Sequence, residues 1–158
     1  MSVNAMEFDY LYNVVDRLYS RLARRSGLSS CAYWMMYALV RAGGTESLRT
    51  LAASWAFSKQ TINSALKALE ARELIALKFE EGGRKNKRAV LTPAGHAFAA
   101  ADIVPAMEAE GRAFGTLAEC EREQLLGLIG RYTAALEAEL DAMAAQDGEG
   151  ETGNGGAA

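Results

Sequence analysis

The side chains best suited to recognising another molecule lie on one face of a short predicted helix. Apolar residues recur at helical spacing after Ser58, which can cap a helix start, and they place this helix at Lys59 to about Arg72. The opposite face carries amide, hydroxyl and ammonium groups: Lys59, Gln60, Thr61, Asn63, Ser64 and Lys67. Such groups form hydrogen bonds with base edges and phosphates, so the pattern is typical of a helix that reads DNA. An ordinary solvated helix face is the alternative interpretation.

A second group of candidate binding residues is basic and follows this helix. Apolar residues alternate with other types at residues 75–80 and 88–91, which is the pattern of two half-buried strands. Gly82 and Gly83 lie between the strands and can adopt the positive φ of a tight turn. The basic residues around the turn are Arg84, Lys85, Lys87 and Arg88. This arrangement predicts a basic β-hairpin that reaches phosphate groups, with a merely soluble hairpin tip as the alternative.

A shorter helix precedes the polar one. Leu48, Leu51, Ala52 and Trp55 recur at i, i+3, i+4 and i+7, and a sharp turn is predicted at residues 56–58. Helix, turn, polar helix and basic hairpin form the order of a winged helix-turn-helix, in which the second helix enters the major groove and the wing reaches the sugar-phosphate backbone or minor groove. Residues 45–92 are therefore called the reader below.

The reader also resembles the MarR (multiple antibiotic resistance regulator) family of bacterial transcription factors. The motifs that carry the resemblance are Leu51-Ala52, Ser58-Lys59-Gln60-Thr61-Ile62-Asn63, Leu69-Glu70, Leu74-Ile75 and Leu91-Thr92-Pro93-Ala94-Gly95, and the similarity extends over roughly residues 6–145. The wing tip departs from the family pattern. Where the family commonly has Asp-Arg-Arg, this chain has Gly83-Arg84-Lys85, so an acid thought to order the tip is missing and the second planar guanidinium is replaced by an ammonium group.

The family resemblance implies partners for the chain. It implies a homodimer held by long helices from both ends of the chain. The two-fold axis of such a dimer predicts an inverted-repeat operator in double-stranded DNA, and the rings of Tyr33, Trp34 and Tyr37 predict a small aromatic effector. The resemblance also implies an effector pocket between the first, second and fifth helices. The candidates for this pocket are Tyr33, Trp34 and Tyr37, whose alternative role is in the hydrophobic core.

Long helices are predicted on both sides of the reader. Apolar spacing predicts one helix over residues 5–25, which Gly27 ends, and a second, apolar nearly all round, from Ser29 or Ser30 to about residue 41. Thr92-Pro93 is a helix start, and this helix is predicted to reach about residue 114. Pro105 should cause either a kink near residues 101–103 or a division into two shorter helices. A last helix is predicted from about residue 119 to 144.

These elements define the fold class as mainly α: a winged helix-turn-helix with long N- and C-terminal dimerisation helices and a two-stranded β wing. The chain has 158 residues, half of them apolar, which is enough for one domain. This domain is predicted at residues 1–145, with dimerisation helices at 5–25 and 93–145. The glycine-rich residues 146–158 are predicted to be a flexible tail. The end helices bury their apolar stripes either against each other or in a two-fold dimer, and the resemblance favours the dimer.

Charge and composition restrict the function. The net charge is −3, but residues 58–92 carry eight basic and four acidic side chains, whereas residues 93–158 carry three and twelve. One histidine, two isolated cysteines and no glycine-rich phosphate loop argue against an enzyme, a metal site or a cofactor. Charged residues interrupt the first segment, and no apolar run is long enough for a membrane span, so the protein is predicted to be cytoplasmic.

These patterns together predict a dimeric, sequence-specific DNA-binding transcriptional regulator, specifically a repressor that a small aromatic ligand releases. The alternative is a winged-helix module that no longer binds DNA and contacts other proteins.

Overall fold

The computed structural model describes residues 4–53, 57–79 and 87–151. The chain divides into two compact units, one ending at Glu110 and the other beginning at Gly111. The first contains the reader and the helices on either side of it, and the second contains the last helix. Within the described ranges, no helix is long and apolar enough to cross a membrane.

Two helices open the first unit, as the sequence predicts. Helix α1 spans Ala5–Arg25 and helix α2 spans Ser30–Arg41, and the side chains of Asn4 and Ser29 cap them by accepting hydrogen bonds from backbone N–H groups of the first turn. Between the helices, Gly27 has a φ of +68°. A left-handed residue at this point satisfies the last carbonyl groups of α1 and turns the chain toward α2.

The reader contains two helices and three strands. Its elements are β1 (Thr45–Ser47), α3 (Leu48–Ala53), α4 (Lys59–Ala71), β2 (Ile75–Phe79) and β3 (Lys87–Leu91). The strands form one antiparallel sheet in the order β1-β3-β2. The predicted wing is the β2–β3 pair, while β1 escapes prediction because three residues are too few to show a period of two. Trp55 and the hairpin tip at residues 80–86 lie outside the described residues.

Burial along the wing changes from its base to its tip. Ile75 pairs with Leu91 at the base, and both are buried. At the far end of β2, Phe79 is 62% exposed and pairs with Lys87. In the described part of the wing, the predicted alternation of apolar residues is therefore a buried face only near the base.

One hydrophobic core joins α2 to the reader. Helix α2 contributes Cys31, Ala32, Tyr33, Met35, Met36 and Leu39, and α4 contributes Ile62, Ala65, Leu66 and Leu69. Since more than one side of α2 is buried, the apolar composition predicted for it has a direct structural reason. The two helices of the reader are thus positioned by their packing on the core that α2 shares with them.

The helix after the wing contains a wider turn. Helix α5 spans Pro93–Phe98, a π-helical segment spans Ala99–Ile103, and α6 spans Val104–Phe114. The N–H of Val104 donates to the carbonyl of Ala99, five residues back. Pro105 lies in the first turn of α6, where a missing N–H group is tolerated. The prediction of two shorter helices is therefore closer to the structure, with the π-helical segment joining them.

The last helix is longer than the sequence predicts. Helix α7 spans Glu119–Glu151, so the predicted helix end near Ala144 is wrong. The flexibility of the tail from Gln146 stays a prediction. Glycine lowers helix propensity by about 1 kcal/mol per residue, but extending an existing helix requires no new nucleation. At the start of α7, the N–H of Ala118 donates to the Glu121 carboxylate at 2.7 Å, as in a capping box. Residues 152–158 lie outside the described residues.

The end of α4 and the start of α5 are in very close contact. The Thr92 hydroxyl accepts a hydrogen bond from Gly95 N–H at 2.9 Å and donates one to the carbonyl of Glu73. The Thr92 N–H donates to the carbonyl of Leu74 at 3.1 Å. A Cβ atom on Gly95 would lie 1.9 Å from that same carbonyl oxygen. Only glycine therefore allows α5 to begin against the backbone that follows α4.

We expect Gly95→Ala to lower the free energy of unfolding by about 3 kcal/mol, because backbone atoms must move to admit the methyl group. The matched control is Gly111→Ala in α6, where an added Cβ meets no atom within 4 Å among the described residues. That substitution should raise the free energy of unfolding by about 0.5–1 kcal/mol, because alanine favours a helix. Urea denaturation measures both, and equal effects would contradict the close approach at Gly95.

Candidate nucleic-acid interface

Helix α4 turns its polar residues to solvent. The exposed residues are Lys59, Gln60, Thr61, Asn63, Ser64 and Lys67, and the buried ones are Ile62, Ala65, Leu66 and Leu69. The predicted division into a polar and an apolar face is therefore confirmed. A contact of the polar face with DNA stays a prediction.

The start of α4 is held by a local cap. Ser58 has extended backbone geometry, and its hydroxyl oxygen accepts a hydrogen bond from Thr61 N–H at 3.2 Å. The hydroxyl groups of Ser58 and Thr61 are also 2.8 Å apart. Gln60 and Asn63 are exposed and three positions apart, so their amides are neighbours on the helix surface. The cap thus fixes the turn from which these two amides extend.

The basic residues of the wing do not all lie on one face. Lys78 pairs with Arg88 across β2 and β3, and Phe79 pairs with Lys87. Because successive residues of a strand point to opposite faces, these two pairs lie on opposite sides of the sheet. The Lys87 ammonium group lies 5.3 Å from the centroid of the Phe79 ring, within the range of a cation–π interaction. The structure therefore separates Lys87 from Arg88, which the sequence places together.

Arg84 and Lys85, the other two predicted wing residues, lie outside the described residues. Their contact with phosphate or the minor groove stays a prediction. The described basic residues of the wing are Lys78, Lys87 and Arg88.

Lys78 is a candidate binding residue that the sequence reasoning left out. It lies directly opposite Arg88, whose Nε donates to the Thr45 hydroxyl at 3.4 Å. Like charges that face each other across two strands are destabilising. The alternation of residues 75–80 already placed Lys78 on the polar face of the strand, and only the register with β3 identifies its partner.

Four aromatic rings meet between α1 and α2. The Trp34 ring centroid lies 4.6 Å from that of Tyr19, 5.8 Å from that of Tyr33 and 5.2 Å from that of Tyr37. Tyr33 is buried, whereas Trp34 and Tyr37 are half-buried. The structure thus brings the three predicted effector residues together and adds Tyr19 to them.

A carboxylate joins this aromatic cluster to α6. Glu110 accepts hydrogen bonds from the hydroxyl groups of both Tyr19 and Tyr37. Burial, followed by the hydrogen bond to Glu110, raises the pKa of Tyr37 to about 12 and raises the pKa of Tyr19 well above its usual range. Both hydroxyl groups therefore stay protonated donors at neutral pH. No sequence signal singles out Glu110, which is one of several acids in its helix.

Tyr33 differs from its neighbours in the cluster. Its hydroxyl is buried and has no hydrogen-bond partner within the described part of the chain. Burial, with the nearby charges of Glu110 and Asp102, raises its pKa. A buried donor without a partner carries a desolvation cost of about 1–3 kcal/mol, which a bound polar group could offset.

A cavity of about 190 Å³ lies between α1 and the segment around Pro105. Its lining residues are Leu22, Arg25, Ala101, Asp102, Pro105, Ala106 and Ala109. These are not the residues predicted for the effector, so the position of an effector pocket stays a prediction. In the described ranges, no three His, Cys, Asp or Glu side chains are grouped so that they could hold a metal ion.

The similarities of this chain to known proteins are similarities of structure. No family model matches the chain, and no curated protein matches its sequence. A MarR family regulator from Neisseria meningitidis matches with 23% identity over 97% of this chain and 100% of its own, at a TM-score of 0.63.

Two further solved structures match at lower identity. The S. aureus MepR-DNA complex has 16% identity over 86% of this chain and 99% of its own, at a TM-score of 0.66. BpsR of Bordetella bronchiseptica, described for the regulation of its DNA binding by 6-hydroxynicotinic acid, has 21% identity over 80% of this chain and 98% of its own, at a TM-score of 0.57. These similarities confirm the predicted fold class.

The raised pKa of Tyr37 predicts a pH dependence of stability. The unfolded chain releases this proton near pH 10.0, whereas the folded protein holds it until about pH 12. The contribution to stability is therefore complete below pH 10.0 and lost as the pH rises to about 12.

We expect the free energy of unfolding, measured in urea, to fall more steeply over this interval in the wild type than in Tyr37→Phe. Tyr10→Phe, which removes an exposed hydroxyl from α1, is the control. Identical slopes in the wild type and Tyr37→Phe would contradict the raised pKa.

Proposed function

We propose that this chain, whose fold is that of the MarR-family regulators, is a dimeric, sequence-specific DNA-binding regulator of transcription. The observation that carries the proposal is the polar face of α4. Six consecutive or near-consecutive polar residues are exposed there, behind a capped helix start and ahead of a basic hairpin. This is the composition and order that major-groove reading requires.

The charge of the reader supports the same function. DNA binding depends on the neutralisation of phosphates by Lys and Arg. Lys59, Lys67 and Lys78 are exposed on the described part of the reader, and Arg84 and Lys85 belong to the predicted tip. MepR, which has the same fold, is known as a complex with DNA.

Exposed apolar residues support a homodimer. On α1, large side chains are exposed by half or more: Met6, Tyr10, Leu11, Tyr12, Leu18, and nearly so Val15. On α7, Leu126, Leu140 and Met143 are exposed by 61%, 54% and 60%. A monomer rarely leaves stripes of this extent in water, and a second copy of the chain would cover them in an obligate interface of about 2,000 Å² or more.

The two-fold symmetry of such a dimer determines the operator. Two copies of α4 would enter successive major grooves about 34 Å apart, so the operator is an inverted repeat with half-sites about one helical turn apart. Repression is the simplest consequence, since a dimer on an operator excludes other proteins from the same DNA.

The aromatic cluster is the proposed effector site. Trp34 and Tyr37 are half-buried and offer ring faces, and the hydroxyl of Tyr33 needs a hydrogen-bond partner. A small aromatic molecule with an acidic or hydroxyl group fits this chemistry. The DNA binding of BpsR, which has the same fold, is regulated by an aromatic acid. Binding here would release the repressor by favouring a dimer with a different spacing of its two α4 helices.

The second candidate function is a protein-interaction module that no longer binds DNA. The favouring observation is the departure at the wing tip, where Gly83 replaces the usual acid. Titration of the protein with random duplex at low and high salt separates the two candidates. A regulator loses affinity steeply as salt rises, whereas an interaction module shows little affinity and little salt dependence.

The α4 face predicts base readout by two amides. Gln60 and Asn63 can each form paired hydrogen bonds with an adenine edge, so Gln60→Ala or Asn63→Ala should cost about 1–3 kcal/mol on the selected operator and much less on random duplex. The operator comes from sequencing the fragments that the purified protein retains. Glu70→Gln, which changes an exposed residue at the other end of α4, is the control. Equal losses on operator and random duplex would mean that these amides only contact the backbone.

The wing predicts a salt effect. Replacing Arg84 and Lys85 by Gln should weaken binding to all sequences and reduce the slope of log K against log[salt] by about 1–2, at roughly 0.9 per lost phosphate contact. The control is Arg17→Gln with Arg24→Gln, which removes the same charge from exposed positions of α1. A slope equal to that of the control would exclude the wing from the interface.

A further inference from the structure

Arg72 lies at the C-terminal end of α4 and contacts two elements outside the reader. Its Nη1 group donates a hydrogen bond to the carbonyl of Gly27, in the turn between α1 and α2, at 2.9 Å. Its guanidinium carbon lies 5.2 Å from the centroid of the Phe98 ring, at the end of α5. One side chain therefore joins the end of the candidate DNA-reading helix to α5 and to the α1–α2 turn.

The backbone beside Arg72 is attached as well. The carbonyl groups of Glu73 and Leu74 accept hydrogen bonds from the hydroxyl and N–H of Thr92. These bonds hold the end of α4 at the start of α5, and both act on one short stretch of backbone, while the buried residues of α4 pack on the core along its other side. The Arg72 contacts act at two other points, the Gly27 carbonyl and the Phe98 ring. Attachment at separated points determines the direction of a helix as well as the position of its end.

The shape of the guanidinium group suits both contacts. A planar group can place one face on an aromatic ring while an N–H at its edge donates to a carbonyl, whereas an ammonium group is a point charge without a face. The turn lies close to it: a Cβ atom on Gly27 would be in ordinary van der Waals contact with Arg72 Nη1, at 3.8 Å.

We propose that Arg72 is a positioning residue that sets the direction of α4 relative to α1, α2 and α5. The inference rests on the proposed function, since the direction of α4 matters because this helix reads DNA. Arg72 acts through α4 and need not contact a base. The Gly27 carbonyl follows directly after α1, which carries Tyr19 of the aromatic cluster, so a shift of α1 against α2 moves the oxygen that Arg72 holds.

The first test measures the direction of α4 without DNA. Nitroxide labels are attached to two introduced cysteines, R21C on α1 and A68C on α4, both at exposed positions. The exposed native Cys120 is replaced by serine (C120S), and the buried Cys31 is kept. Labelled chain is diluted with unlabelled chain, so that pulsed electron resonance reports the distance within one chain. We expect a single narrow distribution of label-to-label distances when Arg72 is unchanged. In R72A and R72K this distribution should be at least twice as wide, or displaced. R24A, which removes an equal charge from the last turn of α1, should keep the narrow distribution.

The second test measures the consequence for DNA. The ratio of affinities for the selected operator and for random duplex should fall about tenfold in R72A, with less than a threefold change on random duplex. R72K keeps the charge but lacks the planar group, so its ratio should also fall. F98L removes the ring face but keeps an apolar side chain against the core, and its affinity ratio should fall in the same direction. Thermal unfolding monitors each variant, and R72K and F98L decide the result if R72A does not fold.

The outcomes separate the two proposals. Unchanged distances in R72A and R72K overturn the role of Arg72, and so do equal losses on operator and random duplex, which would make Arg72 a phosphate contact. A widened distribution with an unchanged affinity ratio supports the positioning of α4 by Arg72 and overturns its link to DNA reading. If the unaltered protein binds no duplex, the proposed function fails, and the distance measurement alone still supports or overturns the positioning of α4.

Discussion

The contact between the first turn of α5 and the carbonyl of Leu74 determines how the reader is attached to the rest of the first unit. The added Cβ distance of 1.9 Å at Gly95 leaves no room for any side chain. The Thr92 hydroxyl forms two hydrogen bonds at this contact: it accepts from Gly95 N–H, which caps α5, and it donates to the Glu73 carbonyl after the end of α4. The wing, α4 and α5 consequently meet at one point. Glu73, next to this point, has a φ of +56°, a conformation that is uncommon outside glycine.

The second polar centre of the first unit connects α1, α2 and α6. Glu110 accepts hydrogen bonds from Tyr19 on α1 and Tyr37 on α2, so three helices share one carboxylate. A charged acceptor makes these bonds stronger than bonds between neutral groups. The hydroxyl of Tyr33, buried nearby without a partner, shows that the polar groups of this region are not all satisfied among the described residues. Polar groups that are left unpaired in a core are typical of places where a ligand binds or where a structure changes.

Much of the fold follows from local patterns in the sequence. The caps at Ser29, Ser58 and Thr92 and the apolar spacing of α1, α2 and α4 identify their elements correctly, because hydrogen-bonding side chains at helix starts and periodic burial are local properties. The strand β1 and the end of α7 are not local in this sense. Three residues become a strand only because β3 lies beside them, and a helix continues through glycines because the turns before it are already formed.

The candidate site shows the same limit. The polar face of α4 is evident from residue spacing, but the pairing of Lys78 with Arg88 depends on strand register. The contacts of Glu110 and Arg72 join residues 91 and 45 positions apart in the sequence, and neither residue type differs from those around it on its helix, where Arg72 is itself exposed. Long-range partners of single polar residues are therefore what sequence patterns omit, and here they are the contacts that position the proposed site.

The π-helical segment at Ala99–Ile103 has a consequence for the register of the long helix. A π-helical turn holds one residue more than an α-helical turn, so it takes up one extra residue without rotating the helix that follows. Glu110 lies after this segment, and its carboxylate reaches the phenols of α1 and α2 in the direction that the wider turn preserves. The same residues in a continuous α-helix would carry Glu110 about 100° further round the helix axis, away from both phenols. The wider turn of this segment, more than the identity of its residues, is what the aromatic cluster depends on.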